Sequence, residues 1–99
     1  MKLSNLKKNE MLNYLRRTAI GKRYGSRFVL QLPADESGRT SRCPFCGKEH
    51  RHGAGSGHRL THCDFNLFNL PIDRSLVFQN DAGQLFFLED GYEICARND

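Results

Sequence analysis

Cys43-Pro44-Phe45-Cys46-Gly47-Lys48-Glu49-His50-Arg51-His52-Gly53-Ala54-Gly55-Ser56-Gly57-His58-Arg59-Leu60-Thr61-His62-Cys63 gathers three of the four cysteines and all four histidines of a 99-residue chain. In its first five residues two thiols fall on one side of a tight turn. Pro44 restricts the backbone there, and Gly47 permits the left-handed conformation that must follow. This is one half of a zinc knuckle. Eleven residues separate Cys46 from His58 and four separate His58 from Cys63, which approaches the spacing of a Cys2His2 finger. The interval contains Gly53, Gly55 and Gly57, each unfavourable to the helix that a ββα finger places before its histidines. The expectation is a looped zinc site.

Tetrahedral Zn2+ takes four donors. Cys43, Cys46 and Cys63 rank first, and His58 is the expected fourth, because a short turn lets its imidazole converge with the Cys63 thiolate. His62 is its rival: in a helical turn it would share a face with His58 and displace Cys63. His50, just past Cys46, is a third candidate. Otherwise His50 and His52 read as solvated loop histidines. The glycines of 53–57 resemble an anion nest only weakly and read better as slack that lets the chain wrap a metal. Cys95, beside Ile94 in an expected strand, reads as a core or edge thiol.

Working outward, Leu3, Leu6, Met11, Leu12, Tyr14, Leu15, Ala19 and Ile20 recur at helical spacing among polar residues, which predicts an amphipathic helix over 1–21 with Gly21 as its stop. Residues 26–32, centred on Phe28-Val29-Leu30-Gln31-Leu32, predict a strand, and polar 33–42 an exposed turn. Residues 64–71 settle on no period. Apolar runs at 76–79, 84–89 and 92–96, parted by Asn80-Asp81-Ala82-Gly83 and Asp90-Gly91, predict a β-meander over 76–96. The fold class expected is α+β: one helix on a small antiparallel sheet, a zinc loop over 43–63, and a single domain over 1–99.

The net charge of +4 conceals a gradient: residues 1–42 carry ten basic and three acidic side chains, 43–63 three and one, and 64–99 two and seven. Arg16, Arg17, Lys22, Arg23, Arg27, Arg39 and Arg42 are the leading candidates to meet the phosphates of DNA or RNA, with Lys7, Lys8, Lys48, Arg51 and Arg59 in support. The acidic rear can instead neutralise the front within the fold, or dock on a basic partner. Only Glu49 and Asp64 border the cluster, so the general base and open coordination position of a metal hydrolase are wanting, and no enzyme activity is expected. No apolar run suits a membrane span or a signal peptide, and reduced thiols suit a cytoplasmic metal ligand set better than disulfides.

The string Cys43-Pro44-Phe45-Cys46-Gly47, with His50-Arg51-His52-Gly53, Gly57-His58-Arg59 and His62-Cys63, resembles small uncharacterised zinc-finger-like proteins of bacteriophages, plasmids and bacterial genomes. It covers about a fifth of the chain. The resemblance implies metal binding and carriage on mobile DNA, hence a bacterial or phage-infected cell. The functional expectation is a small zinc-binding protein that binds nucleic acid or acts on a nucleic-acid-handling complex. Its alternative is a phage-encoded inhibitor of a host defence or regulatory complex, acting by protein–protein occlusion. Neither requires a small-molecule substrate.

Overall fold

A computed structural model describes residues 5–52, 56–61 and 63–96. Helix α1 spans Asn5–Thr18, with Arg16 and Arg17 in its last turn, where they oppose the negative end of the helix dipole. The helix ends before the expected Gly21 stop. Gly21 lies instead in strand β1 (Ile20–Tyr24), where an added Cβ would collide with the Phe86 ring. Close approach of backbone to core explains that glycine. β1 then folds back on β2 (Arg27–Ala34) through Gly25-Ser26, with registers running from Tyr24↔Arg27 to Ile20↔Gln31 and Gly25 at φ 61°.

The turn expected over 33–42 contracts to residues 35–38. Asp35 Oδ1 accepts from Ser37 N, Ser37 Oγ and Arg39 N, which nails the turn and holds its carboxyl below the ordinary value. Arg39–Arg42 is strand β3, with Thr40 buried. Glu49–Arg51 returns antiparallel as β4, and Gly57–Arg59 forms β5. The undecided 64–71 segment closes on itself: Phe65 bridges Pro71, while Asn66 Oδ1 accepts from the backbone N–H groups of Phe68 and Leu70.

Only half of the expected meander forms. β6 (Val77–Gln79) and β7 (Leu85–Phe87) make a two-stranded antiparallel sheet, but β8 (Tyr92–Ala96) leaves them after a 3-10 turn at Leu88–Asp90. It runs parallel to β2, from Leu30↔Tyr92 to Ala34↔Ala96. The reason lies in the alternation of both strands. Leu30, Leu32 and Ala34 are buried on β2, as are Tyr92 and Ile94 on β8, so side-by-side pairing puts two apolar rows on one face. Each large side chain so buried contributes about 1.5–3 kcal/mol. The opposite face is polar: Glu93 accepts from Tyr24 Oη (2.7 Å) and Gln31 Nε2 (2.8 Å).

The fold is therefore α+β. The larger sheet runs β4-β3-β2-β8-β5, with β1 also paired to β2. Leu15 of the helix, Phe78, Phe86 and Leu88 complete a core continuous with Phe45, Cys43, Cys46 and Cys63. Asn80 ties the helix end to the β6–β7 turn: its Nδ2 donates to Ala19 O, and its Oδ1 accepts from Gln84 N. No helix among the described residues is long and apolar enough to cross a membrane.

Candidate metal centre

β3 and β4 form a hairpin whose connection, residues 43–48, is the knuckle. Cys43 N donates to Lys48 O, while Cys46 N and Gly47 N both turn back on Cys43 O. Gly47 takes φ 76°, and Leu67 packs where its Cβ would stand, so both conformation and space require glycine. Lys48 N points at Cys46 Sγ at 3.4 Å. His50 sits at the centre of β4, turned inward between exposed Glu49 and Arg51, with its backbone N–H held by Thr40 Oγ1. Cys63 arrives four residues after β5, the opposite end of the strand order. For it to reach Cys43, the sheet must curl until its two edges border one seam.

One ligand atom from each of Cys43, Cys46, His50 and Cys63 lies within 4.8 Å of the others. Cys43 Sγ is 3.8 Å from Cys63 Sγ, and His50 Nε2 is 3.4 Å from Cys46 Sγ and 3.3 Å from Cys63 Sγ. Tetrahedral geometry with Zn–S near 2.3 Å and Zn–N near 2.0–2.1 Å places sulfurs about 3.8 Å apart and sulfur and nitrogen about 3.5 Å apart. The donor set thus fits a tetrahedral metal ion. It is also shielded: the three cysteines are buried and His50 is half-buried. Tyr92 covers the imidazole, with ring centroids 5.9 Å apart and planes at 22°.

The local electrostatics call for a cation. Contact with Cys46 and Cys63, strengthened by burial, pushes the Cys43 thiol far up, whereas hydrogen bonds from Cys43 and Cys63 hold Cys46 well down. His50 is pushed up to about 10, chiefly by its contacts with Cys46 and then Cys63, against the opposing effect of burial. Three sulfurs packed this closely would repel one another as thiolates, and a divalent ion held between them would relieve that repulsion.

Three of the four expected donors are brought together, and His50 stands where His58 was expected. His58 is exposed on β5, its Nε2 is 2.7 Å from Asp90 O, and it is absent from the cluster. The strand geometry explains the correction: β5 pairs with β8 in the register His58↔Glu93, which commits His58 to the polar face of the sheet. The rival His62 lies outside the described residues. His52 leaves β4 toward Tyr92, with Nε2 2.5 Å from Tyr92 Oη. Cys95 is exposed, and its thiol donates to Gln31 Oε1. The overlooked signal for His50 is the hairpin itself, since a strand returning from a knuckle must pass its second cysteine.

The candidate phosphate-binding cations are dispersed. The Arg17 guanidinium lies 5.9 Å from the centre of the Tyr14 ring, and the Lys22 ammonium 5.4 Å from that of Tyr24. Arg16 stays exposed at the helix end, while Arg23 Nε donates to Gly25 O. Arg27 stays exposed but is engaged at the surface, pairing with Asp90 at 2.9 Å and Glu89 at 3.5 Å and stacking over Phe87. At this one position acidic residues of the rear neutralise a cation of the front. Arg39 and Arg42 lie together on β3, beside the metal centre.

No family model, curated protein or solved structure matches the chain.

Proposed function

We propose that this chain is a zinc-binding module in which the ion is structural and the basic flank binds nucleic acid. The Cys3His donor set supports the reading most directly: four convergent protein donors complete a tetrahedron and leave no coordination position for a substrate or reacting water. Three soft thiolates favour Zn2+ over oxygen-preferring cations. Zinc would join the β3–β4 hairpin to the segment after β5 and so hold the curled sheet shut. The nucleic-acid part rests on charge, with ten basic side chains in residues 1–42, of which Arg27 is internally neutralised.

Native mass spectrometry of the reduced chain is the test, with and without chelator, then with duplex DNA, single strands and RNA at two salt concentrations. The reading expects one zinc per chain, loss of folded charge states on chelation, and a nucleic-acid complex that weakens as salt rises. Reduced protein that carries no stoichiometric metal would overturn it. A second reading, a docking protein that occludes a nucleic-acid-handling complex, draws on the exposed Phe65 and Leu70 of the Asn66-braced loop. One stoichiometric protein partner retained after nuclease treatment, without a nucleic-acid complex, would select it.

A further inference from the structure

Arg39 and Arg51 face each other as a direct register pair across β3 and β4, with Arg42 opposite Glu49. Like charges placed directly opposite on an antiparallel pair repel and destabilise it. The surroundings do little to relieve the repulsion. Among the described residues Glu49 is the one carboxylate lining this site, and its Oε1 is 4.0 Å from Arg39 Nε, the limit of an ion pair, with both side chains about half exposed. Arg42 Nη1 is anchored on Gly47 O at 2.7 Å, which aims the guanidinium along the hairpin. Lys48 adds a fourth cation at the knuckle. Among the described residues, no ion pair engages Lys48 or Arg51. These side chains, with His50, line an open cavity of about 390 Å³.

We propose that this cleft is a phosphate-binding site for the backbone of a nucleic-acid strand, and that the metal ligand His50 holds it in shape. The inference rests on the nucleic-acid reading above and gives that reading an address. Four cations against one carboxylate, on a sheet edge open to solvent, suit the dispersed negative charge of phosphodiesters. Guanidinium groups match phosphate oxygens with paired N–H donors. Bound phosphate turns the Arg39–Arg51 repulsion into a shared attraction. Since His50 lies between Glu49 and Arg51, its ligation fixes the strand that presents Arg51 opposite Arg39. Metal and phosphate are therefore coupled, and by linkage each should tighten retention of the other.

The test measures binding of a labelled oligonucleotide, as single-stranded DNA, RNA and duplex, to the zinc-loaded full chain across a salt series. It compares wild type with Arg39→Ala/Arg51→Ala and with Lys22→Ala/Arg23→Ala. Bound zinc and the melting temperature are recorded for each. The cleft variant should keep its zinc and melt no lower than wild type without ligand, since it loses a like-charge pair. Its affinity for the preferred strand should fall about tenfold, and the slope of log affinity against log salt should shrink by about two. The β1 variant, which also removes two cations of the basic flank, should lose less affinity than the cleft variant; an equal or larger loss would overturn the cleft as the address. Wild-type protein should also yield zinc to a chelator more slowly when the strand is bound. Unchanged affinity and slope in the cleft variant would overturn the site and leave the nucleic-acid reading standing. Zinc-loaded wild type that binds none of the three probes would overturn both.

Discussion

Replacing His50 by Ala tests the ligand set most directly when it is paired with His58→Ala. Structural zinc supplies roughly 10–16 kcal/mol of apparent binding energy in small domains, so one of four donors accounts for about 2.5–4 kcal/mol. At about 1.4 kcal/mol per factor of ten, His50→Ala should weaken zinc binding by about 10²- to 10³-fold. The geometry argues that little of this is recovered by substitution: His50 Nε2 touches two of the three sulfurs, whereas His52 Nε2 is engaged by Tyr92 Oη. His58 is exposed and meets Asp90 O, so His58→Ala should alter zinc affinity less than about threefold, within ordinary surface-mutation effects of about 0.5 kcal/mol. Competition with a chromophoric chelator gives the affinities, and Co2+ absorption reports the coordination, its thiolate charge-transfer intensity retained and its ligand-field bands altered in His50→Ala. The reverse order, zinc lost with His58 and kept without His50, would refute the assignment.

Three further outcomes follow from the packing. Gly91→Ala should cost about 3 kcal/mol or more, because φ 71° with ψ −152° is a region nearly reserved for glycine and a Cβ would strike the Arg59 backbone; a thermal melt should fall by about 12 °C or more. Asn80→Ala removes the side chain that joins Ala19 O to Gln84 N, and should lower stability by about 1–3 kcal/mol in denaturant titration while bound zinc stays stoichiometric. Glu93 is held below the ordinary carboxylate value, first by the Tyr24 hydroxyl and then by Gln31. A depressed folded pKa stabilises above the unfolded value near 4.3 and loses that contribution as pH falls through the folded value. The stability gap between wild type and Glu93→Gln should therefore be full at neutral pH and close in acid; a gap that widens on acidification contradicts the assignment.

What was legible in the chain was mostly what is local. Cys43, Cys46 and Gly47 announce their turn within five residues, and the helix shows its period over four turns. Cys63 followed from its proximity in sequence. Spacing puts His58 ahead of His50, the reverse of the structure, because the choice depends on which strand face each one joins, and that is set by the pairing of β4 with β3 and of β5 with β8. β1 was hidden for a related reason: Ile20-Gly21-Lys22-Arg23-Tyr24 buries almost nothing, and its strand conformation comes from pairing with β2. The parallel partnership of β2 and β8 joins segments some sixty residues apart, beyond the reach of any periodic pattern.

The strands at the two ends of the β4-β3-β2-β8-β5 order are three residues each, and the register of β4 against β3 is broken by a bulge between Arg39 and Arg42. Short, kinked, cationic margins are poor templates for strand addition by another copy. That protection depends on the hairpin keeping its shape. Stripping the ion should do more than soften the chain: it should release backbone donors and acceptors along a formerly guarded border, so that turbidity in concentrated, chelated samples precedes complete loss of secondary structure.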